Sequence, residues 1–311
     1  MKNVIFIFGS SSLIARKFIE KFSKVYECVG IGRENRKFNK NIIRNVIFDL
    51  SQIYSRDEIK NFSDKLFLDY QNSNKIFILF SWAGKPRDVI KNLSLRNWEA
   101  NQNIVKNFKE FSSIINPSHI VFISSAGAIY NQNSHRRSKE TDKPFLNNSY
   151  GKQKLQVEES LDKFCKTKSI NLSILRVSTV YGYNSEFADH GVINKWLFNA
   201  KNNSFLELYN DPKSLVNFIS VENVSEAINI CIQEKIFGLF NIGSIDSISL
   251  EDLIEVVKKV SKCNNLNLKI LANEYRSFKL DTSLFQAKSK LIFKNNFNNE
   301  LENIFLMIKG N

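Results

Sequence analysis

The first half of the chain alternates short apolar segments with longer amphipathic ones, and this alternation restricts the fold more than any other feature. Each apolar segment has the length of one buried strand, and the segments between them have the apolar spacing of helices. Strands and helices that alternate in this way assemble into a parallel sheet covered by helices on both faces. The predicted strands are VIFIF (4–8), VYECVGI (25–31), NVIFDL (45–50), KIFILF (75–80), HIVFIS (119–124) and NLSILRV (171–177).

The rest of the pattern predicts several helices and a less regular second half. SLEDLIEVVKKV (249–260) is the clearest helix, because Ser249 can cap its N-terminus, acidic residues occupy its first turn and lysines its last. The other predictions are helices at 56–69, 94–115 and 191–202, a strand at 205–209, and a strand–helix unit at 216–234.

The composition is that of a globular chain with 311 residues, 43% hydrophobic and 24% charged, which is long enough for two lobes. The net charge of +13 is scattered and forms no basic run with interleaved aromatic residues. We therefore expect no nucleic-acid partner, although an acidic small molecule suits this charge. No apolar run has the length of a membrane span and no signal-peptide pattern precedes VIFIF, so a cytoplasmic protein without membrane insertion is expected.

The cysteines and histidines lack the spacing of a metal site, so no metal is expected. Each cysteine lies in an apolar periodic segment, which favours buried free thiols in a reducing compartment. The histidines are far apart in the sequence, and the first of them is expected to begin a strand. The residues concerned are Cys28, Cys165, Cys231, Cys263, His119, His135 and His190.

The stretch GSSSLIA (9–15) follows the first predicted strand and opens a helix. A dinucleotide pyrophosphate binds at such a turn, because the backbone can approach the phosphates and the helix N-terminus supplies N–H groups. Gly9 keeps the first glycine position of this fingerprint, whereas Ser12 and Ala15 replace the usual glycines. The alternative is a strand-to-helix turn without a ligand. The residues predicted to contact the cofactor here are Gly9, Ser11, Ser12, Leu13 and Ile14.

The end of the second strand carries Arg33, with Glu34 and Arg36 close behind. In a dinucleotide site, an acidic residue at this point binds the ribose 2′-hydroxyl, whereas an arginine suits a 2′-phosphate. A planar guanidinium can bind phosphate through two hydrogen bonds, so the sequence favours NADP over NAD. The alternative is that Arg33 is one of many surface cations.

The stretch SYGKQK (149–154) places Tyr150 and Lys154 one helical turn apart, so both side chains share one face of a helix. Ser124 and Ser125 should lie at the carboxyl end of a central strand, where ligands bind in such sheets. A free tyrosine has a pKa near ~10 and needs a nearby cation to act close to neutral pH. Lys154 can supply that cation, which makes Tyr150 a candidate acid–base group. The alternative is a solvated Tyr–Lys pair.

Together these stretches resemble the extended short-chain dehydrogenase/reductase family, the NAD(P)-dependent epimerases, dehydratases and reductases of nucleotide sugars. The resemblance covers nearly the whole chain, and the order and spacing of the stretches carry it. The further matches are FDL with Asp49, FSWAG (80–84), NQNIVKNF with Asn101, SSAGAIY, LRVSTVYG (175–182), NFISVENV (217–224), FNIGS (240–244) and LDTS (280–283).

The resemblance implies roles for individual residues. The catalytic residues would be Ser125, Tyr150 and Lys154, with Ser124 as the alternative serine. Besides the glycine-turn residues and Arg33, the cofactor would contact Asp49, Leu50, Ser81, Trp82, Ala83, Asn101, Ser124, Tyr150, Lys154 and Val177. The substrate would contact Ser125, Ala126, Thr179, Lys213, Arg136 and Arg137.

Three positions depart from the family pattern. Val216 stands where the family often has an arginine that binds the substrate's phosphates, and Thr179 where it often has an asparagine. Lys213, Arg136 and Arg137 are the nearest replacements, and the loop with the two arginines is either solvated surface or a contact for an anionic substrate. Ala126 and Gly127 replace the Asp-Glu pair of the dehydratases, which counts against dehydration.

The sequence therefore predicts a Rossmann-type α/β chain with a doubly wound cofactor lobe at 1–177 and a returning piece at 215–238. A smaller α/β substrate lobe is expected from 178–214 and 239–311. The favoured function is NADP(H)-dependent reduction of a keto group, expected at C4, on a nucleotide-linked sugar. The alternatives are a C4 epimerase with tightly held NAD and a non-catalytic nucleotide-sensing protein. The resemblance also allows a homodimer and implies a role in surface-polysaccharide synthesis.

Overall fold

The computed structural model describes residues 2–34, 44–84, 93–133, 136–183, 191–263, 266–272 and 274–310. Arg36, His135 and His190, which the sequence singled out, lie outside these ranges.

The strands follow the predicted apolar segments closely. They are β1 (Asn3–Phe8), β2 (Glu27–Gly32), β3 (Arg44–Ile47), β4 (Asn74–Leu79), β5 (His119–Ser125), β6 (Asn171–Val177), β7 (Thr179–Tyr181), β8 (Leu206–Leu208), β9 (Leu215–Val216), β10 (Phe218–Ser220), β11 (Gly238–Ile242), β12 (Ile248–Ser249) and β13 (Leu268–Ile270). Seven of them form one sheet in the order β11-β6-β5-β4-β1-β2-β3. The pairs β1–β2, β1–β4, β2–β3 and β4–β5 are parallel. The predicted Rossmann-type α/β fold is therefore confirmed.

Described helices lie between most consecutive strands of this sheet along the chain. They are α1 (Leu13–Phe22), α2 (Arg56–Phe67), α3 (Leu93–Ile115), α4 (Ala126–Ile129), α5 (Ser149–Lys168), α6 (Gly191–Lys201), α7 (Val221–Gln233), α8 (Leu250–Ser261), α9 (Ser283–Ser289) and α10 (Phe297–Lys309). The predicted cap is confirmed, because the Ser249 side chain accepts a hydrogen bond from the N–H of Asp252 at the start of α8. Asn148 caps α5 in the same way through the N–H of Gly151.

Two compact units share the chain. The first comprises Met1–Ile129, Phe145–Arg176 and Ser225–Phe240, and the second comprises Tyr130–Pro144, Val177–Val224 and Asn241–Asn311. The core of the first is rich in phenylalanine, and Phe8 contacts Phe77, Phe108 and Phe111 ring to ring. Buried side chains of α6, α8 and α10 contribute to the core of the second. The assignment of cofactor and substrate to separate lobes stays a prediction.

Two sequence predictions need correction. The strand predicted at 45–50 ends at Ile47. The chain turns because the Asp49 carboxylate accepts hydrogen bonds from the N–H and the hydroxyl of Ser51 at 3.0 and 2.7 Å, which favours a turn over an extended strand. Three cysteines are buried free thiols as expected, but Cys263 is only half-buried, since it lies just after the C-terminus of α8.

A buried ion pair joins α5 to the sheet. The Arg176 guanidinium on β6 donates hydrogen bonds to both oxygens of Glu158 on α5, through Nε at 3.1 Å to each and Nη2 at 2.6 Å to Oε2. Both side chains are about 95% buried, at 4% and 5% exposed. Ser124 on β5 donates its hydroxyl to Glu158 Oε1 at 2.5 Å. One carboxylate therefore links α5 to two neighbouring strands of the sheet.

We expect Glu158→Gln to lower the free energy of unfolding by about 3 kcal/mol or more, because it leaves the Arg176 charge buried without a counter-ion. Urea denaturation measures the change. Asp162→Asn on the same helix is the matched control, since Asp162 pairs with Lys166 at the surface and its loss should cost under about 1 kcal/mol. Equal and small losses in both variants would contradict the prediction.

Candidate active site

The turn between β1 and α1 accepts only glycine at its first position. Gly9 has φ +88°, and a Cβ there would lie 2.5 Å from the backbone nitrogen of Ser81. Ser12 caps α1 by accepting a hydrogen bond from the N–H of Ala15 at 3.2 Å. The N–H groups of Leu13 and Ile14 in the first turn have no intrahelical acceptor. The turn therefore brings the first-turn backbone donors of α1 close to the carboxyl ends of β1 and β4.

The ends of β2 and β3 bring Arg33 and Asp49 near each other. Arg33 is exposed. Burial by itself would raise the pKa of Asp49, but hydrogen bonds from Ser51 and Gln52 and the charge of Arg33 lower it overall. Asn107 on α3 holds the following loop by donating to the carbonyls of Leu50 and Gln52 at 2.9 and 2.8 Å. A cation and an ionised carboxylate therefore stand together at this end of the sheet.

Asn101 on α3 fixes the loop after β4. Its side chain accepts from the N–H of Ala83 at 2.8 Å and donates to the carbonyl of the same residue at 3.1 Å. Its amide also donates to Gln153 on α5 at 2.7 Å. The loop Ser81–Ala83 and the helix that carries Tyr150 are thus held by one buried asparagine.

Tyr150 and Lys154 lie on one face of α5, as their spacing predicts, and Trp82 lies against both of them. The Lys154 ammonium donates to the carbonyl of Ile123 on β5 at 3.0 Å. It lies 4.0 Å from the centroid of the Trp82 ring. The rings of Trp82 and Tyr150 are 5.9 Å apart and nearly perpendicular. The indole therefore contacts both residues for which the sequence predicts acid–base chemistry.

The surroundings shift the pKa values of both groups. Burial raises the pKa of Tyr150 to about 12 and lowers the pKa of Lys154 to about 7, although the Glu158 carboxylate acts against the second shift. Near neutral pH the phenol therefore keeps its proton, and the lysine changes between its charged and neutral forms. This combination suits a tyrosine that donates a proton and a lysine whose charge is sensitive to its contacts.

The two serines at the end of β5 differ in their surroundings. The Ser124 hydroxyl is buried and bonded to Glu158, whereas Ser125 is half-buried. Within the described part of the chain, no hydrogen bond involves the Ser125 or Tyr150 hydroxyl. Ser125 thus has the more available hydroxyl, which supports it over Ser124, although its catalytic role stays a prediction.

Sequence reasoning missed a close backbone contact between α4 and α5. A Cβ on Gly151 would lie 2.0 Å from the carbonyl oxygen of Ala128 on α4, so the two helix backbones touch at this point. Ala126, a predicted substrate contact, is buried at the start of α4. The available signal was a glycine in the first turn of a predicted helix, directly after Tyr150.

The other predicted substrate contacts lie in the second unit. Arg136 donates to both carboxylate oxygens of Asp142 at 2.8 and 2.9 Å, and Arg137 donates to the carbonyl of Ile245. Thr179 and Lys213 are exposed, whereas Val177, a predicted cofactor contact, is buried. The structure does not test whether any of these residues contacts a ligand.

Arg276 is a further candidate that the sequence analysis overlooked. Its carbonyl accepts from the N–H of Leu215 at 2.8 Å, which places it beside β9 and therefore near the position where Val216 replaces the family's arginine. Its guanidinium donates to Gln132 at 3.4 Å and Glu274 at 2.9 Å. The available signal was an arginine four residues before the LDTS match.

The described residues contain neither a metal-binding cluster nor a membrane-spanning helix. In the described ranges, no three His, Cys, Asp or Glu side chains lie close enough together to hold a metal ion. No helix within those ranges has the length and apolar character needed to span a membrane.

Two curated proteins are similar in sequence to about half of this chain. The chain is 29% identical to the dTDP-4-dehydro-6-deoxyglucose reductase of Escherichia coli over 178 residues, which cover 56% of this chain and 55% of that protein. It is 27% identical to a putative UDP-glucose 4-epimerase of Methanocaldococcus jannaschii over 45% of this chain and 46% of the relative. The chain thus spans about half the length of these curated relatives.

A solved structure and a family model cover more of the chain. The fold is similar to that of the UDP-glucuronic acid 4-epimerase from Bacillus cereus, with a TM-score of 0.85, 17% identity and 99% of both chains covered. The family model described as the NAD dependent epimerase/dehydratase family matches residues 5–243. This match covers most of the chain and includes the glycine turn, Tyr150 and Lys154. The chain therefore belongs to the NAD-dependent epimerase/dehydratase family.

Proposed function

We propose that this chain uses NADPH to reduce a keto group, at C4, of a nucleotide-linked sugar. The observation that carries the proposal is the pair Tyr150 and Lys154 on α5, with the lysine bonded to β5 close to the carboxyl end of that strand, which ends at Ser125. Ligands bind at this end in open α/β sheets. The similarity to a reductase of a dTDP-linked keto sugar supports the same reaction class.

The residues of the first unit suit a dinucleotide. The first-turn N–H groups of α1 would bind its pyrophosphate, and the glycine turn leaves room for a close approach. The indole N–H of Trp82 is buried without a hydrogen-bond partner among the described residues, so a bound ligand could satisfy it. Lys154 would hold the nicotinamide ribose, and Arg33 the adenosine end.

The chemistry of the proposed reduction follows from the protonation states. The bound nicotinamide would supply the hydride. Tyr150 carries its proton near neutral pH and would donate it to the carbonyl oxygen of the substrate, while the Ser125 hydroxyl hydrogen-bonds the same oxygen. Lys154 in its ammonium form would stabilise the phenolate left on Tyr150. Proton donation by this phenol therefore depends on the charge of Lys154.

An NAD-dependent C4 epimerase is the second candidate. Asp49 is ionised close to Arg33, and its negative charge would weaken the attraction between Arg33 and a 2′-phosphate. The Methanocaldococcus jannaschii relative, described as a putative 4-epimerase, supports the same alternative. An epimerase would oxidise and then reduce the same sugar on a cofactor that it retains.

The substrate's diphosphate would need cationic partners, because Val216 cannot bind phosphate. We propose Arg136, Arg137 and Lys213 as partners, and we add Arg276 because it lies beside β9. A homodimer and a role in surface-polysaccharide synthesis stay predictions from the family resemblance, and a cytoplasmic location stays a prediction from the sequence pattern.

Turnover on a panel of 4-keto nucleotide sugars tests the function. With NADPH present, a reductase should consume the absorbance of the reduced nicotinamide only when the keto sugar is added. An epimerase should instead purify with bound NAD and interconvert C4 epimers without net absorbance change. If neither reaction occurs with any nucleotide sugar, both proposals fail.

We expect Arg33→Ala to weaken NADPH binding by about tenfold to a hundredfold and to leave NADH binding nearly unchanged. A charge-assisted contact to the 2′-phosphate is worth roughly 1.5–3 kcal/mol, and only NADPH carries this phosphate. Nicotinamide fluorescence titration measures both affinities. Arg56→Ala is the control, because Arg56 is an exposed arginine on α2. Equal losses for the two cofactors would remove Arg33 from this role and favour the epimerase.

We expect Tyr150→Phe to lower the turnover rate by about 10²–10⁴-fold, because it keeps the ring and removes the proton donor. Cofactor affinity should survive the change, and measuring it separates lost chemistry from lost folding. Near-normal turnover in this variant would show that another group donates the proton.

A further inference from the structure

Lys154 is a buried cation with few compensating contacts. Lys154 is 5% exposed, and among the described residues its ammonium donates to one carbonyl, that of Ile123 at 3.0 Å. Burial of an ammonium is costly unless nearby groups replace the lost water. Aromatic faces can do so in part, since a cation is attracted to the electron-rich face of a ring. The Trp82 ring lies 4.0 Å away and the Phe122 ring 4.9 Å away.

The charged groups around Lys154 offset only part of the cost of burying its ammonium. On its own helix, Glu158 lies one turn after it and Tyr150 one turn before it. The Glu158 carboxylate is shared with Arg176 from β6, so much of its negative charge is already neutralised. The described groups that approach from β5 and from the loop after β4 are the Ile123 carbonyl and two rings, none of which titrates. Trp82 is thus the nearest aromatic face to the ammonium.

Hydrogen bonds fix the backbone beside Trp82. Asn101 holds both backbone groups of the next residue, Ala83, and bonds to Gln153 on α5. The indole N–H has no partner among the described residues. The ring is therefore held at a fixed place relative to α5, with one face toward Lys154 and an edge-to-face contact with Tyr150.

We propose that Trp82 is a positioning residue whose ring holds the Lys154 ammonium beside Tyr150 and favours the charged form of this lysine. The importance of this contact for turnover rests on the proposed function, whereas the contact itself does not. The experiments below use cofactor-free protein, so their failure is distinguishable from failure of the proposed reaction.

The sign of the effect follows from burial. Burial lowers the pKa of Lys154 to about 7, so the lysine is charged below this pH and neutral above it. The aromatic face favours the charged form and acts against burial. Loss of the ring should therefore lower the titration midpoint, by about 0.4 to 1.5 pH units for a desolvated cation–π contact. At neutral pH, less of the lysine would then be charged.

Carbon-13 NMR of lysine-labelled protein measures this midpoint directly through the Cε resonance. Lys154 is identified by the signal that is missing in Lys154→Met. Trp82→Leu should lower the midpoint by the stated amount, and Trp82→Phe should lower it less because a smaller ring remains. Trp98→Leu, a half-buried tryptophan on α3, is the matched control and should leave it within about 0.2 pH units. Equal midpoints in Trp82→Leu and Trp98→Leu would overturn the proposal.

A second measurement leaves Trp82 in place, so it tests the proposal even if Trp82→Leu does not fold. The chain has three tryptophans, so 5-fluorotryptophan gives three fluorine signals. One signal should titrate near neutral pH and should stop titrating in Lys154→Met. Lys152→Met, which removes an exposed lysine on the same helix, should leave the titration intact. Absence of a titrating signal, or its survival in Lys154→Met, would also overturn the proposal.

Discussion

The carboxylate of Glu158 is the interaction on which the candidate site depends. It accepts hydrogen bonds from a strand arginine and a strand serine at once, and all three side chains are buried. A helix joined to a sheet by a buried charge cannot slide or rotate without separating that charge from its partners, which is costly in a low dielectric. The position of α5, and with it the position of Tyr150 and Lys154, follows from this constraint.

The sequence was a good guide to the fold and to part of the site. Each of the six predicted apolar segments corresponds to a strand. They could be predicted because a parallel sheet buried on both faces requires continuous apolar runs, which can be read directly from the sequence. Tyr150 and Lys154 could be placed together because their spacing along one helix determines their shared face. The end of β3 was harder to predict from the sequence, since it depends on one local hydrogen-bonded turn at Asp49.

Contacts between segments that are distant along the chain could not be predicted from the sequence. Glu158 and Arg176 lie 18 residues apart, on a helix and a strand, and no periodicity links them. The approach of Trp82 to Lys154 depends on the loop that Asn101 holds, so the tryptophan could be assigned to the cofactor site only by family resemblance. Arg276 was missed for a similar reason, because its neighbour Leu215 lies far away in the sequence. Such contacts require the positions of separate elements to be known first.

The backbone contact between Gly151 and Ala128 limits how this site can diversify. Because even a Cβ atom at Gly151 would overlap the Ala128 carbonyl oxygen, a larger residue there would push α5 away from α4. Such a shift of α5 would also move Tyr150, which directly precedes Gly151 on this helix. A change at this position would therefore displace the tyrosine that we propose as the proton donor, so we expect differences in substrate preference to arise elsewhere in the chain.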